Sequence, residues 1–245
     1  MLRLASLCVL LIAWQVGASF AGPRLLPEPL AVAAVMLREA RSGALFFNLG
    51  ITLARVAAAF VIAMVLGAAL GVAMGRSRRC DQIADPWLVA LLNLPALVII
   101  VLAYIWAGLN ESAAIGAVAL NKLPNAAVTL REGARALDRG LDEMAQVFAM
   151  SRWTRMRHVL LPQLAPYIAA AARSGLSLVW KIVLVVELLG RPDGVGFEIG
   201  TAFQLFDVAL ILAYALAFVL VMLAIETFAV QPFERYSNRW RPRQA

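Results

Sequence analysis

Inside or beside the long apolar runs of this chain stand the cations Arg55, Lys122, Arg173 and Lys181 and the carboxylates Glu187 and Glu226. A charge at hydrocarbon depth is expensive, so it is kept for binding or is paired. The chemistry open to these groups is electrostatic: a cation can attract an anion, or a cation and a carboxylate can fix the packing of two helices. Lys122 and Arg173 are the most central. Lys181 and Glu187 are six residues apart and on different faces of a helix, so each needs a neighbour elsewhere. No carboxylate pair, nucleophile constellation or ligand cluster supports an enzymatic reading, and neither a metal nor a cofactor is expected. The single histidine, His158, stands among arginines at headgroup level. Cys8, in an apolar run, and Cys80, in a basic loop, read as free thiols.

The elements that position these groups are membrane spans. Of the 245 residues, 62% are hydrophobic and 15% charged, and mean hydropathy is +0.81, outside the range of soluble domains. The net charge of +7 does not indicate nucleic acid, because the basic residues flank apolar spans in short segments. Six spans are expected. The first is Leu4 to Phe20, read as an uncleaved helix although Ser19-Phe20-Ala21 has the small residues of a cleavage site. The second is Leu45 to Gly75, with its first turns at the interface, Arg55 snorkelling outward, and Gly67, Gly71 and Gly75 in overlapping G-x-x-x-G repeats that admit a close neighbour. The third is Trp87 to Trp106, kinked at Asn93-Leu94-Pro95. The fourth, Ala113 to Leu130, is the least apolar, with Asn121-Lys122-Leu123-Pro124-Asn125 at its centre. Ala165 to Leu189 and Val208 to Val230 complete the set.

Between the second and fifth spans the arginines collect in two loops, Arg76, Arg78 and Arg79 in one and Arg131, Arg135, Arg139, Arg152, Arg155 and Arg157 in the other. With Arg3 and the tail residues Arg235, Arg239, Arg241 and Arg243 they place both termini in the cytoplasm. The segments on the other side carry only Arg24, Arg38, Arg41 and Arg191. There Gly22 to Gly43 holds a short helix near Ala31 to Arg41, and Gly190 to Phe206 reads as a re-entrant or gate loop.

Glu143 to Pro162 is a polar island between apolar runs. Leu137, Leu141, Met144, Ala145 and Phe148 recur at helical spacing, with Asp138, Asp142, Glu143 and Gln146 opposite, as in a short amphipathic helix. A second short helix follows, with Ser151 as its N-cap and Trp153 and Met156 as apolar contacts. The stretch resembles the cytoplasmic loop of ABC importer permeases, E-A-A-x3-G-x9-I-x-L-P, through Glu143-Met144-Ala145, Ala149 at the glycine position, Val159 and Leu161-Pro162. Met144 replaces an alanine and Ala149 the glycine. A glycine there tolerates positive φ, whereas alanine would be strained, so this turn is expected to keep negative φ.

Beyond the loop the chain is similar to permeases of the nitrate, sulfonate and taurine type. Leu26-Pro27-x-Pro29, Thr52-Leu53-x-Arg55-Val56, Leu94-Pro95, Trp180 with Glu187, Gly194-Val195-Gly196 and the tail near Trp240 carry that likeness in order. The resemblance implies an all-α integral membrane protein of the type I ABC importer permease fold, in a bacterial inner membrane. Residues 1–44 would be a first span and external segment, and 45–245 the transmembrane domain with a coupling loop at 131–162. It further implies a homodimeric pore, an external solute-binding protein and two ATPase subunits. The chain has no G-x-x-x-x-G-K-[ST] phosphate loop, so ATP would be bound by the partner. Leu141, Glu143, Met144, Ala145, Phe148, Ala149, Leu161 and Pro162 would meet that ATPase, with the loop arginines adding contacts to it or to lipid headgroups. Lys122, Arg173, Lys181 and Glu187 would be candidates for the pathway, with Lys122 and Arg173 biasing it towards anions. A secondary transporter driven by an ion gradient is the alternative.

Overall fold

The computed structural model describes residues 2–232, and every regular element among them is helical. The tail residues Arg235, Arg239, Trp240, Arg241 and Arg243 lie outside the described residues. By compactness the chain divides into two units, one running to Arg55 and including Val183–Leu223, the other comprising Val56–Ile182 and the segment from Ala224.

In the first unit, α1 (Leu2–Ala21) is followed by α2 (Pro29–Ser42). The Trp14 indole N–H donates to the Pro27 carbonyl at 3.0 Å and joins the two. Pro29 suits the start of α2, where its missing N–H is not needed, and Gly43 ends the helix at φ +84. The expected gate loop contains a helix, α10 (Val195–Gln204), before the apolar α11 (Val208–Ile225). A π-helical turn, Glu226–Val230, extends α11, so the sixth expected span is one continuous stretch of 23 residues, Val208–Val230.

Two long helices run through both units: α3 (Ala44–Arg76) and α9 (Leu161–Gly190). The second unit adds α4 (Arg78–Asn93), α5 (Ala96–Ala107), α6 (Glu111–Arg135), α7 (Arg139–Val147) and α8 (Arg152–Arg155). The third expected span is more than kinked. Leu94 and Pro95 are both extended, and α4 and α5 meet at 100°. The fourth is one unbroken helix through Pro124, N-capped by Asn110, whose side chain accepts from Ala113 N at 2.8 Å.

The glycine ridge of α3 is a helix seam. A Cβ at Gly67 would stand 2.7 Å from Ala126 Cβ, one at Gly75 2.5 Å from Ala134 Cβ, and one at Gly71 would overlap the Ala127 carbonyl oxygen. All three neighbours belong to α6, so the two backbones touch where the sequence removes side chains. Leu130 and Ala134 of α6 continue the core with Leu164 and Ala171 of α9, flanked by Met64, Ala68 and Val72 of α3. Among the described residues, three helices are long and apolar enough to cross a membrane, or four if α4 and α5 form one broken span.

Candidate functional site

The polar island folds as its pattern predicts. Asp138 caps α7, its Oδ1 accepting from Gly140 N at 2.8 Å, and Phe148 ends it. Of the apolar face only Ala145 is buried; Leu141, Met144 and Phe148 are exposed, and Val147 beside them is 83% exposed. The short helix thus leaves most of its apolar stripe in the open. Glu143 and Pro162 are exposed as well, as is Leu161.

The turn after α7 departs from expectation. Ala149 has φ +49, not the negative φ that an alanine favours. The reason is local: Ala149 N donates to Gln146 O at 2.9 Å and Met150 N to Ala145 O at 3.0 Å. These two bonds are those of a Schellman motif, which puts the residue after the C-cap in the left-handed region whatever its side chain. Phe206 does the same after α10, with φ +57 and the corresponding bonds to Phe203 O and Ala202 O.

Ser151 is an N-cap as expected, accepting from Thr154 N at 3.2 Å. The helix it starts is not separate, however. It continues through a π-helical turn, Met156–Leu160, into α9. Pro162 has no N–H for the His158 carbonyl, and the backbone there shifts to the wider turn. Trp153 and Met156, expected as apolar contacts, are exposed and enlarge the open apolar surface, while Val159 is buried.

One carboxylate holds the loop together. Asp142 accepts from Arg155 Nε at 2.8 Å and from Arg155 Nη2 in a fork, and from Arg76 Nη2 at 3.3 Å at the end of α3. The hydrogen bond from Arg155, followed by the charges of Arg155 and Arg76, holds the Asp142 carboxyl below its ordinary range. Nearby, Arg131 and Arg135 of α6 pair with Asp81, and Arg131 also with Asp85, both acids lying on α4.

Arg55 does not snorkel. It is 4% exposed and donates to Glu187 Oε1 at 2.8 Å, to the Asp193 carbonyl at 2.9 Å and to the Asp193 carboxylate. Glu187, wholly buried, also accepts from Thr52 Oγ1 at 3.0 Å and Gly196 N at 2.8 Å. Asn48 Oδ1 accepts from Gly194 N and Thr52 Oγ1 from Val195 N, both at 2.9 Å. The N–H groups at the start of α10 are thus taken up by side chains of α3 and α9. Asn48, Thr52 and Arg55 share one face of α3 at spacings of four and three, a signal the sequence offered.

The remaining cations part company. Arg173 lies 3.6 Å from Glu226, and Lys181 stands 5.5 Å over the Trp180 ring, with its own side exposed. Lys122 is 1% exposed, and among the described residues its Nζ has no hydrogen-bond partner.

Residues 63–239 match the family described as binding-protein-dependent transport system inner membrane component. The chain is 31% identical over 231 residues to the putative aliphatic sulfonates transport permease protein SsuC of Escherichia coli (strain K12), covering 94% of this chain and 88% of that one. It is 26% identical over 246 residues to the taurine transport system permease protein TauC of the same strain, covering 98% and 89%. Among solved structures, an amino acid ABC transporter with histidines superposes with a TM-score of 0.64 at 22% identity, over 82% of this chain and 98% of that one, a likeness of fold.

Proposed function

The chain belongs to the family of binding-protein-dependent transport system inner membrane components, and on that premise we propose that it forms a homodimeric pore for a small anionic solute. It is a transport subunit of an ABC transporter and not an enzyme. The relatives named for aliphatic sulfonates and taurine support a solute with a sulfonate or similar head, nitrate or a carboxylate included. In this reading an ATPase on a separate chain binds and hydrolyses ATP, and a solute-binding protein delivers the cargo. The bilayer is a bacterial inner membrane, crossed six times, with both termini in the cytoplasm.

The observation that carries the coupling is the open apolar face of α7, Leu141, Met144, Val147 and Phe148, held on a helix whose other side is tied down through Asp142. That face fits a cleft on the ATPase, with Ala149, Leu161 and Pro162 at its edge. Closing of the ATPase dimer on ATP would carry α7 with it and switch the spans as rigid bodies. Tagged permease extracted in detergent should co-purify an ATPase, identified by mass spectrometry, and the exposed Glu143→Lys should release it while leaving membrane insertion unchanged. Equal recovery with both proteins would refute the docking face.

A further inference from the structure

Lys122 is one of two lysines in the chain, the other being Lys181. Its side chain leaves α6 and lies against α9 at Gly175. A Cβ at Gly175 would stand 2.5 Å from Lys122 Cε, 3.2 Å from Nζ and 3.3 Å from Phe60 Cε2. The glycine therefore makes a slot one methyl deep, bordered by the Phe60 ring and entered by the Lys122 Cε methylene, with the ammonium just beyond it and almost wholly buried. The other buried charges among the described residues, Arg55 and Glu187, answer one another, and Arg55 also pairs with the half-buried Asp193. The Nζ of Lys122 has three N–H donors and no acceptor among the described residues.

Packing does not require this. A leucine or methionine would fill the slot without the cost of an uncompensated ammonium in a dry site. An orphaned buried polar group calls for a partner that comes from elsewhere. We propose that the slot formed by Lys122, Gly175 and Phe60 is the site at which the transported solute's anionic head, a singly charged oxyanion of the sulfonate class, is held. This rests on the reading of the chain as a pore for an anionic solute, and it assigns that recognition to one atom.

The division of labour follows from the side chains. The ammonium is a compact point charge with three rotatable donors, suited to an oxyanion that arrives in varied orientations. Phe60 offers an apolar wall to the solute's carbon end, and Gly175 sets the free depth. The slot is closed here, so the anion reaches Nζ when α9 stands off α6 at Gly175. The anion stabilises that opened state because it alone compensates the charge.

The test uses the full chain carrying lysine labelled with 13C at Cε and 15N at Nζ, combined with its ATPase prepared without label. Two lysine signals are expected. The signal lost in Lys122→Arg is that of Lys122, and Lys181, exposed, is the internal reference. Methanesulfonate, taurine, bicarbonate and nitrate are titrated in turn against sodium chloride at equal ionic strength. The Lys122 signal should shift saturably with at least one oxyanion while Lys181 stays still, and Gly175→Ala should weaken that response at least tenfold. A Lys122 signal unmoved by all four anions overturns the proposal, as does an equal shift of both lysines, which marks unspecific ion binding. The wild-type titration needs no variant to fold. Recovery of the ATPase reports separately on the permease reading: failure of the anion response with the ATPase still bound refutes only the site.

Discussion

Replacing Ala149 by glycine should stabilise the loop. An L-residue held at φ near +50 carries about 1–2 kcal/mol of steric strain that glycine lacks. Glycine gives back about 0.5–1 kcal/mol through its freer unfolded chain. From the middle of each range the net gain is about 0.75 kcal/mol, a factor of roughly three to four in the opening equilibrium of the turn. The amides to watch are Ala149 N and Met150 N, which close the turn on Gln146 O and Ala145 O. Hydrogen exchange at these two amides should slow roughly three- to fourfold in Ala149→Gly, with the amides of α11 unchanged as the control. Ala149→Val, with its branched Cβ, should accelerate both. Faster exchange in the glycine variant would refute the strained-turn reasoning, because it would mean that the alanine was not held in the left-handed region.

Further outcomes follow from the same structure. Gly71→Ala should abolish the folded protein in size-exclusion profiles, since its Cβ would overlap a backbone oxygen of α6, whereas Gly116→Ala, with nothing within 4 Å, should be neutral or slightly stabilising. Arg55→Met should cost about 3–5 kcal/mol in thermal unfolding by stranding the buried Glu187, and adding Glu187→Gln should recover part of it. The depressed Asp142 carboxyl contributes stability that is fully present above the ordinary carboxylate value of 3.8 and is lost as pH falls through its lower folded value. Exchange protection of α7 should thus persist through mildly acidic pH and collapse only below it, while Arg155→Gln moves the loss upward.

What was legible in the sequence was what repeats locally. The apolar runs that became α3 and α11 with its π-helical extension, and the amphipathic period from Asp138 to Phe148, end within a residue or two of their expected limits, because composition and capping act over a turn or two. Arg55 was misjudged because its partners lie 132 and 138 residues further on, and snorkelling is the only recourse visible to a lone arginine. Ala149 was misjudged because intrinsic φ preference is weaker than two closing hydrogen bonds. The break at Leu94 and Pro95 was foreseen as a bend, but its size depends on what α5 packs against. Lys122 is recognisable as a charge at membrane depth; that no described residue answers it depends on how α6 packs against α9 at Gly175.

The seam between α3 and α6 is a contact with no room to spare. Positions 67, 71 and 75 have no side chain to give way, and the smallest addition meets backbone or a methyl carbon of the opposite helix. A contact of that kind is close-packed backbone against backbone, so its geometry is sensitive to the addition of a single carbon. The seam therefore sets how closely α3 and α6 approach, and a side chain at any of the three positions would hold the two backbones apart.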